Sequence, residues 1–206
     1  MTLKIKHRTA RRLVPAAVAL AGLSLAAACG GSSTGGNHDT ASGSGASSSS
    51  AAHNAADVAF ATDMIPHHTQ AVEMADMALA AAVDPEVKAL AQAIKGAQDP
   101  EIKTMTGWLT DWKAAVPGTG MGHSMSGGGM GMMSDTDMAA LGKATGAAFD
   151  KMWVDMMTRH HTGAIEMANT EIKNGQYTDA KALAQRIVTS QTAEVTKMTA
   201  IAKRLT

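Results

Sequence analysis

The feature that most restricts this chain is an internal repeat. Phe60-Ala-Thr-Asp-Met64-Ile-Pro-His67-His68-Thr-Gln-Ala-Val-Glu73-Met74-Ala75 recurs as Trp153-Val-Asp-Met-Met157-Thr-Arg-His160-His161-Thr-Gly-Ala-Ile-Glu166-Met167-Ala168, 93 residues further on. The same offset pairs Lys88-Ala-Leu-Ala-Gln92 with Lys181-Ala-Leu-Ala-Gln185. It also pairs Ile94 with Ile187, Gln98 with Gln191, Glu101 with Glu194 and Met105 with Met198. One register held without a gap across two separated segments marks a duplicated structural unit.

That unit is helical. The repeats are built from Ala, Met, Leu, Glu, Lys and Gln, which are good helix formers, and aromatic residues make up only 3% of the chain. A core with so few aromatics must be filled by Ala, Leu, Ile, Val and Met, whose small or flexible side chains suit closely packed helices. Asp84-Pro85-Glu86 combines an N-cap, a first-turn proline and an early acid, so it divides the first copy into two helices. The first is expected over about residues 56–82 and the second from there to about 115, kinked at Pro100. In the second copy one long helix is expected from Asp135 or Asp137 to about 174, and another from about 178 to the C-terminus. Neither hairpin can bury its apolar stripe alone. The expected fold is all-α, a four-helix bundle of two duplicated helical hairpins.

On a helical wheel Phe60, Met64, His67, His68, Ala71, Ala75 and Ala78 fall within about 60° of Met64, while Thr69 and Glu73 point away. Met64 lies one turn before both histidines, so the three side chains can reach one point. Met157, His160 and His161 repeat the pattern. Four imidazoles on the inner face need partners, because an unsatisfied buried polar group costs about 1–3 kcal/mol. Either they form a hydrogen-bonded core network, or a metal ion supplies the partner. Imidazole suits copper, zinc, nickel and iron, and thioether narrows the choice towards copper. Asp63, one turn before His67, is placed to orient it. Glu73 and Glu166 fall on the outer face.

Between the copies, residues 116–134 form a loop rich in Gly, Met and His. Met121, His123, Met125, Met130, Met132 and Met133 offer the same donor types and are candidates for a second, accessory metal site; the alternative is a plain connector. The segment has the composition of neither a core nor a regular helix.

The N-terminus reads as an export signal. Lys4, Lys6, Arg8, Arg11 and Arg12 precede an apolar run that closes on Ala26-Ala27-Ala28-Cys29-Gly30, the pattern of a lipoprotein signal in which Cys29 is acylated. Pro15 and the short apolar run argue against a membrane span. Cys29 is the only cysteine, so no internal disulfide accounts for it. Residues 1–28 are therefore read as a signal peptide, 29–54 as a flexible Gly/Ser-rich linker and 55–206 as the bundle domain. The expected location is outside the cell membrane, anchored to it through Cys29. Removing the signal leaves 13 basic against 18 acidic residues, a net charge near −5 that disfavours nucleic-acid binding.

Phe60…Asp63-Met64-Ile65-Pro66-His67-His68…Ala71…Glu73-Met74-Ala75, its second copy, and the two Lys-Ala-Leu-Ala-Gln segments resemble the domain of unknown function 305 family. The resemblance covers about residues 55–206 and departs at Thr158-Arg159, where Ile-Pro is typical. It implies a ferritin-like four-helix bundle, often exported, and a copper-binding role described for some members. The leading expectation is an anchored copper-binding protein that sequesters or chaperones the metal through Met64, His67, His68, Met157, His160 and His161. A di-iron oxidase would need Glu-x-x-His pairs, where this chain has Met64 and Met157. A metal-free helical interaction module is the third reading. No nucleophile–base pair or phosphate loop is present, so no enzymatic activity is expected.

Overall fold

The structure, a computed structural model, describes residues 52–118 and 129–205. The signal peptide, Cys29, nearly all of the linker, and Met121, His123 and Met125 lie outside the described residues.

Among the described residues the domain comprises five α-helices and one 3-10 turn. Helix α1, Ala55–Ala81, starts at Asn54, whose side chain accepts from the Ala56 and Asp57 amides while Asp57 reaches back to the Asn54 amide. Helix α2, Pro85–Asp111, starts as expected: Asp84 accepts from the Glu86 and Val87 amides, and Pro85 occupies the first turn, where no amide is needed. It runs through Pro100 as one helix and ends short of residue 115, at Trp112, where Lys113 turns to φ 57°. Gly129–Gly131 is the 3-10 turn.

The expected long third helix is two helices. Helix α3, Asp135–Lys143, is capped by Ser134; α4, Gly146–Asn174, follows after Thr145 in extended conformation and Gly146 at φ +60°, which glycine adopts without strain. Helix α5, Thr178–Arg204, completes the chain.

Helix α1 packs along α2 and α4 along α5, and the two hairpins meet chiefly through α1 against α4. Alanines at 61, 71, 75 and 78 of α1 and 164 and 168 of α4 are fully buried, which lets the central pair approach closely. The core falls into two apolar clusters. One surrounds Met74, Ile94, Phe149 and Trp153, and the other surrounds Met64, Met105, Leu109 and Ile187. The His-His pairs sit between these clusters along α1 and α4.

Two buried carboxylates tie the hairpins to each other. Asp57 of α1 accepts from the Gln176 and Tyr177 amides in the α4–α5 turn, at 3.0 and 2.9 Å. Asp150 of α4 accepts from the Val83 and Asp84 amides in the α1–α2 turn, at 3.1 and 2.9 Å. Burial alone would raise the Asp57 carboxyl, but hydrogen bonds from Asn54, Tyr177 and Gln176 hold it below its ordinary range. Beside Asp57 a second acid is buried. Glu171 is 1% exposed, and its carboxyl lies where a Cβ on residue 175 would be, a place open because that residue is Gly175. Neither Glu171 oxygen has a hydrogen-bond partner, and the Asp57 carboxylate lies beside it, so the protonated form is favoured. Burial first, and then Asp57, push the Glu171 carboxyl up to about 8.

Candidate metal centre

The inner faces of α1 and α4 bring the duplicated motif together. Met64, His67, His68, Met157, His160 and His161 are all at most 1% exposed. The His67 and His160 rings meet across the interface with centroids 3.7 Å apart and planes tilted by 41°, and the His160 and His161 centroids are 6.3 Å apart.

Outer helices hold the second histidine of each pair. His68 Nε2 lies 2.8 Å from Glu101 Oε2 on α2, and His161 Nε2 lies 2.8 Å from Glu194 Oε2 on α5. A carboxylate only accepts, so in each pair the imidazole donates from Nε2 and the Nδ1 atom is turned away from the glutamate. His67 donates from Nε2 to the Met130 carbonyl at 2.9 Å, which leaves Nδ1 as the acceptor. Those three Nδ1 atoms, together with both nitrogens of His160, are buried without a hydrogen-bond partner. Gln98 and Gln191, one turn before the two glutamates, are also buried, each with an unpartnered side-chain oxygen.

His67 and His160, the two that meet across the interface, are held in the neutral form. Burial, reinforced by the neighbouring His68, pushes His67 down to about 3 against the opposing pull of the Met130 carbonyl. Burial and then His67 hold His160 well below its ordinary value. Neutral imidazole with an exposed lone pair is the form that coordinates a metal.

The arrangement is not a finished chelate. Among the described residues no three His, Cys, Asp or Glu side chains converge around one point. Metal–imidazole bonds of about 2.0 Å would hold two rings farther apart than His67 and His160 stand, so the rings must part to share an ion. The donors fit a soft or borderline metal: imidazole nitrogen, flanking thioether and second-layer carboxylates.

Several sequence expectations are refined here. Glu73 and Glu166 are exposed, as the wheel indicates. Asp63 is exposed and does not orient His67; the Met130 carbonyl takes that place, because Asp63 points off the inner stripe. The inter-repeat loop is partly core. Met133 is 6% exposed, its amide donates to Gln70 Oε1 at 2.8 Å, and its carbonyl accepts from Gln70 Nε2 at 2.9 Å. Arg159 Nη2 reaches the Met133 sulfur at 3.7 Å. Met130 remains 53% exposed and Met132 is half-buried. Glu101 and Glu194 received no role from the sequence, although their recurrence at the repeat offset was the signal for one.

The model of the domain of unknown function (DUF305) matches residues 57–202. This chain belongs to that family. Among solved DUF305 structures, a Streptomyces coelicolor protein inferred to be secreted is 33% identical, covering 73% of this chain and 92% of its own with a TM-score of 0.66. A DUF305 fragment from Deinococcus radiodurans is 26% identical, covers 73% and 97%, and also has a TM-score of 0.66. CopM in its Cu(II)-bound form is 34% identical, covers 73% and 97%, and has a TM-score of 0.62. CopM has also been solved in Cu(I)-bound and Ag-bound forms. No curated protein matches the chain.

Proposed function

We propose that this DUF305 protein is exported, anchored to the outer face of the cell membrane through Cys29, and binds copper through its duplicated Met-x-x-His-His motif. The observation that carries this reading is the set of five buried imidazole nitrogens without partners, on His67, His68, His160 and His161. A structural network would have paired them, since each costs about 1–3 kcal/mol when left bare. Glu101 and Glu194 fix the His68 and His161 tautomers, so that each Nδ1 lone pair faces away from the carboxylate. Met64 and Met157 add thioethers one turn away, which favours Cu(I) and Ag(I) over harder ions.

Copper is cargo on this reading, and the protein sequesters or chaperones it rather than catalysing a reaction. The relation to CopM supports the metal assignment, and the relation to the Streptomyces protein supports export. Glu101 and Glu194 are each hydrogen-bonded to an imidazole, and among the described residues no group of three carboxylate or imidazole side chains is gathered as a di-iron centre needs. Among the described residues no helix is long and apolar enough to cross a membrane.

The test is an anaerobic titration with Cu(I), Cu(II) and Ag(I), followed by melting of the parent and of a variant with all four histidines replaced by alanine. A ligand selective for the folded state raises the melting temperature by mass action. The parent should gain thermal stability on metal addition, and the quadruple variant should lose most of that gain. An equal gain in both proteins would place the metal elsewhere.

A further inference from the structure

The two halves of the bundle follow a pseudo-two-fold, yet one repeat position carries opposite residues. Gln70 on α1 and Gly163 on α4 stand 93 residues apart, in register. Both touch the same short strap, Gly129 to Met133. Gln70 spends its whole amide on the strap, accepting from the Met133 amide and donating to the Met133 carbonyl. Gly163 contributes an absence: a Cβ there would overlap the Met130 carbonyl. The strap's own backbone is constrained to match. Met130 has φ 59° and Gly131 φ 79°, and a Cβ on Gly131 would overlap the Arg159 carbonyl. A methionine in the left-handed region is disfavoured by about 1–2 kcal/mol, so its surroundings impose that conformation.

That conformation delivers the Met130 carbonyl to His67 Nε2. His160, the partner across the pseudo-two-fold, receives no such group, and both of its nitrogens are bare. The strap therefore makes two repeat-equivalent histidines chemically different. A cavity of about 110 Å³ opens beside it, lined in part by Met130, Asp63 and Met167.

We infer that Gln70 and Gly163 are positioning residues for the metal site: they seat the Met130 carbonyl on His67 Nε2, fix that ring as the Nε2–H tautomer, and commit its Nδ1 to the ion. This rests on the copper-binding reading above, but its first half is testable without metal. With the strap unseated, His67 can carry its proton on either nitrogen, and the donor set is no longer pre-organised.

The experiment compares the full chain with Gly163→Ala, Gln70→Ala and, as a control, Gly107→Ala, where an added Cβ meets nothing within 4 Å. Imidazole nitrogen NMR of the metal-free proteins reports the His67 tautomer, and circular dichroism reports the helices. Ag(I) affinity is then measured by competition with a soft-metal chelator. The parent and Gly107→Ala should show His67 protonated on Nε2, and both strap variants should lose that signature while remaining helical. Their Ag(I) affinity should fall by about tenfold, the lower range for loss of a group that orients a ligand. A purely packing role would lower stability and leave the tautomer unchanged in the folded protein, and that result overturns the inference. So does an unchanged affinity in both variants. If the parent takes up no Ag(I) or copper, the copper-binding reading falls and the inferred metal role falls with it. If the parent binds and the variants bind equally well, the inference alone fails.

Discussion

Asp57 and Asp150 occupy the same position of the two repeats, and each clasps the turn of the opposite hairpin. The contact is reciprocal, with α1 holding the α4–α5 turn and α4 holding the α1–α2 turn. These two buried carboxylates set the depth at which α1 and α4 lie against each other, and with it the meeting of His67 and His160.

Asp150→Ala leaves the Val83 and Asp84 amides without their acceptor. The expected loss of stability is about 1–3 kcal/mol, the cost of an unsatisfied buried donor. Urea unfolding should show it. Asp155→Ala, which removes only an exposed pair with Lys151, should cost less than about 1 kcal/mol.

The carboxylates behind the histidines should matter more for metal than for folding. Glu194→Gln replaces a carboxylate that only accepts from His161 Nε2 with an amide that can also donate, so the tautomer is no longer fixed. Copper affinity should drop by about 10- to 100-fold. Chelator competition measures the drop, and an unchanged affinity would show that His161 is not a ligand.

Acid should destabilise the metal-free bundle through its core histidines. The folded state holds His67 down at about 3, whereas the unfolded chain accepts that proton near the ordinary histidine value of 6.5. The contribution is present in full above pH 6.5 and is lost progressively as pH falls towards 3. His160 is shifted in the same direction. A His67→Gln/His160→Gln variant should therefore show a shallower decline in stability across that window, measured by denaturant unfolding at successive pH values. Parallel curves would show that these histidines bind protons in the folded state.

Glu171 acts in the opposite sense. Its folded value is raised from 4.5 to about 8, so the folded state retains a proton that the unfolded chain releases. Parent stability has this contribution in full below pH 4.5 and loses it as pH rises through 8. Glu171→Gln cannot ionise. Relative to the parent it should gain stability steadily between those pH values, and a constant difference would contradict the buried, protonated carboxyl.

Membrane attachment is tested at Cys29, which lies outside the described residues. Cys29→Ser should release the protein from membranes or leave its signal peptide uncleaved. Wild-type mobility and membrane fractionation in that variant would refute acylation at this position.

The repeat made the bundle and its inner histidines legible, because a fixed offset of 93 carries both helix register and residue identity. It carried more than was read from it. Ala55, the first residue of α1, corresponds to position 148, close to the true start of α4 at Gly146, so the same register marks the break that divides α3 from α4. Asp57 and Asp150 also match at that offset. The His68–Glu101 and His161–Glu194 pairs join residues 33 apart on successive helices, and only the packing of α1 on α2 and of α4 on α5 reveals them. The strap left no periodic trace. It depends on Gln70 and Gly163, which differ between the copies, and on a Gly/Met stretch whose pairing is set entirely by tertiary contact.

The reciprocal clasp has a consequence for how the molecule divides. Each hairpin carries its own His–Glu pair, and every contact between hairpins made by Asp57, Asp150, His67 and His160 has or meets a counterpart at the equivalent position. In these contacts the bundle is a homodimer written into one chain. Two separately produced hairpins should therefore associate through the same two carboxylate clasps, an outcome that size-exclusion chromatography of their mixture would read. The strap breaks that correspondence: it lies against one side of the α1–α4 pair, and so gives the fused molecule a front and a back that a dimer of bare hairpins would lack.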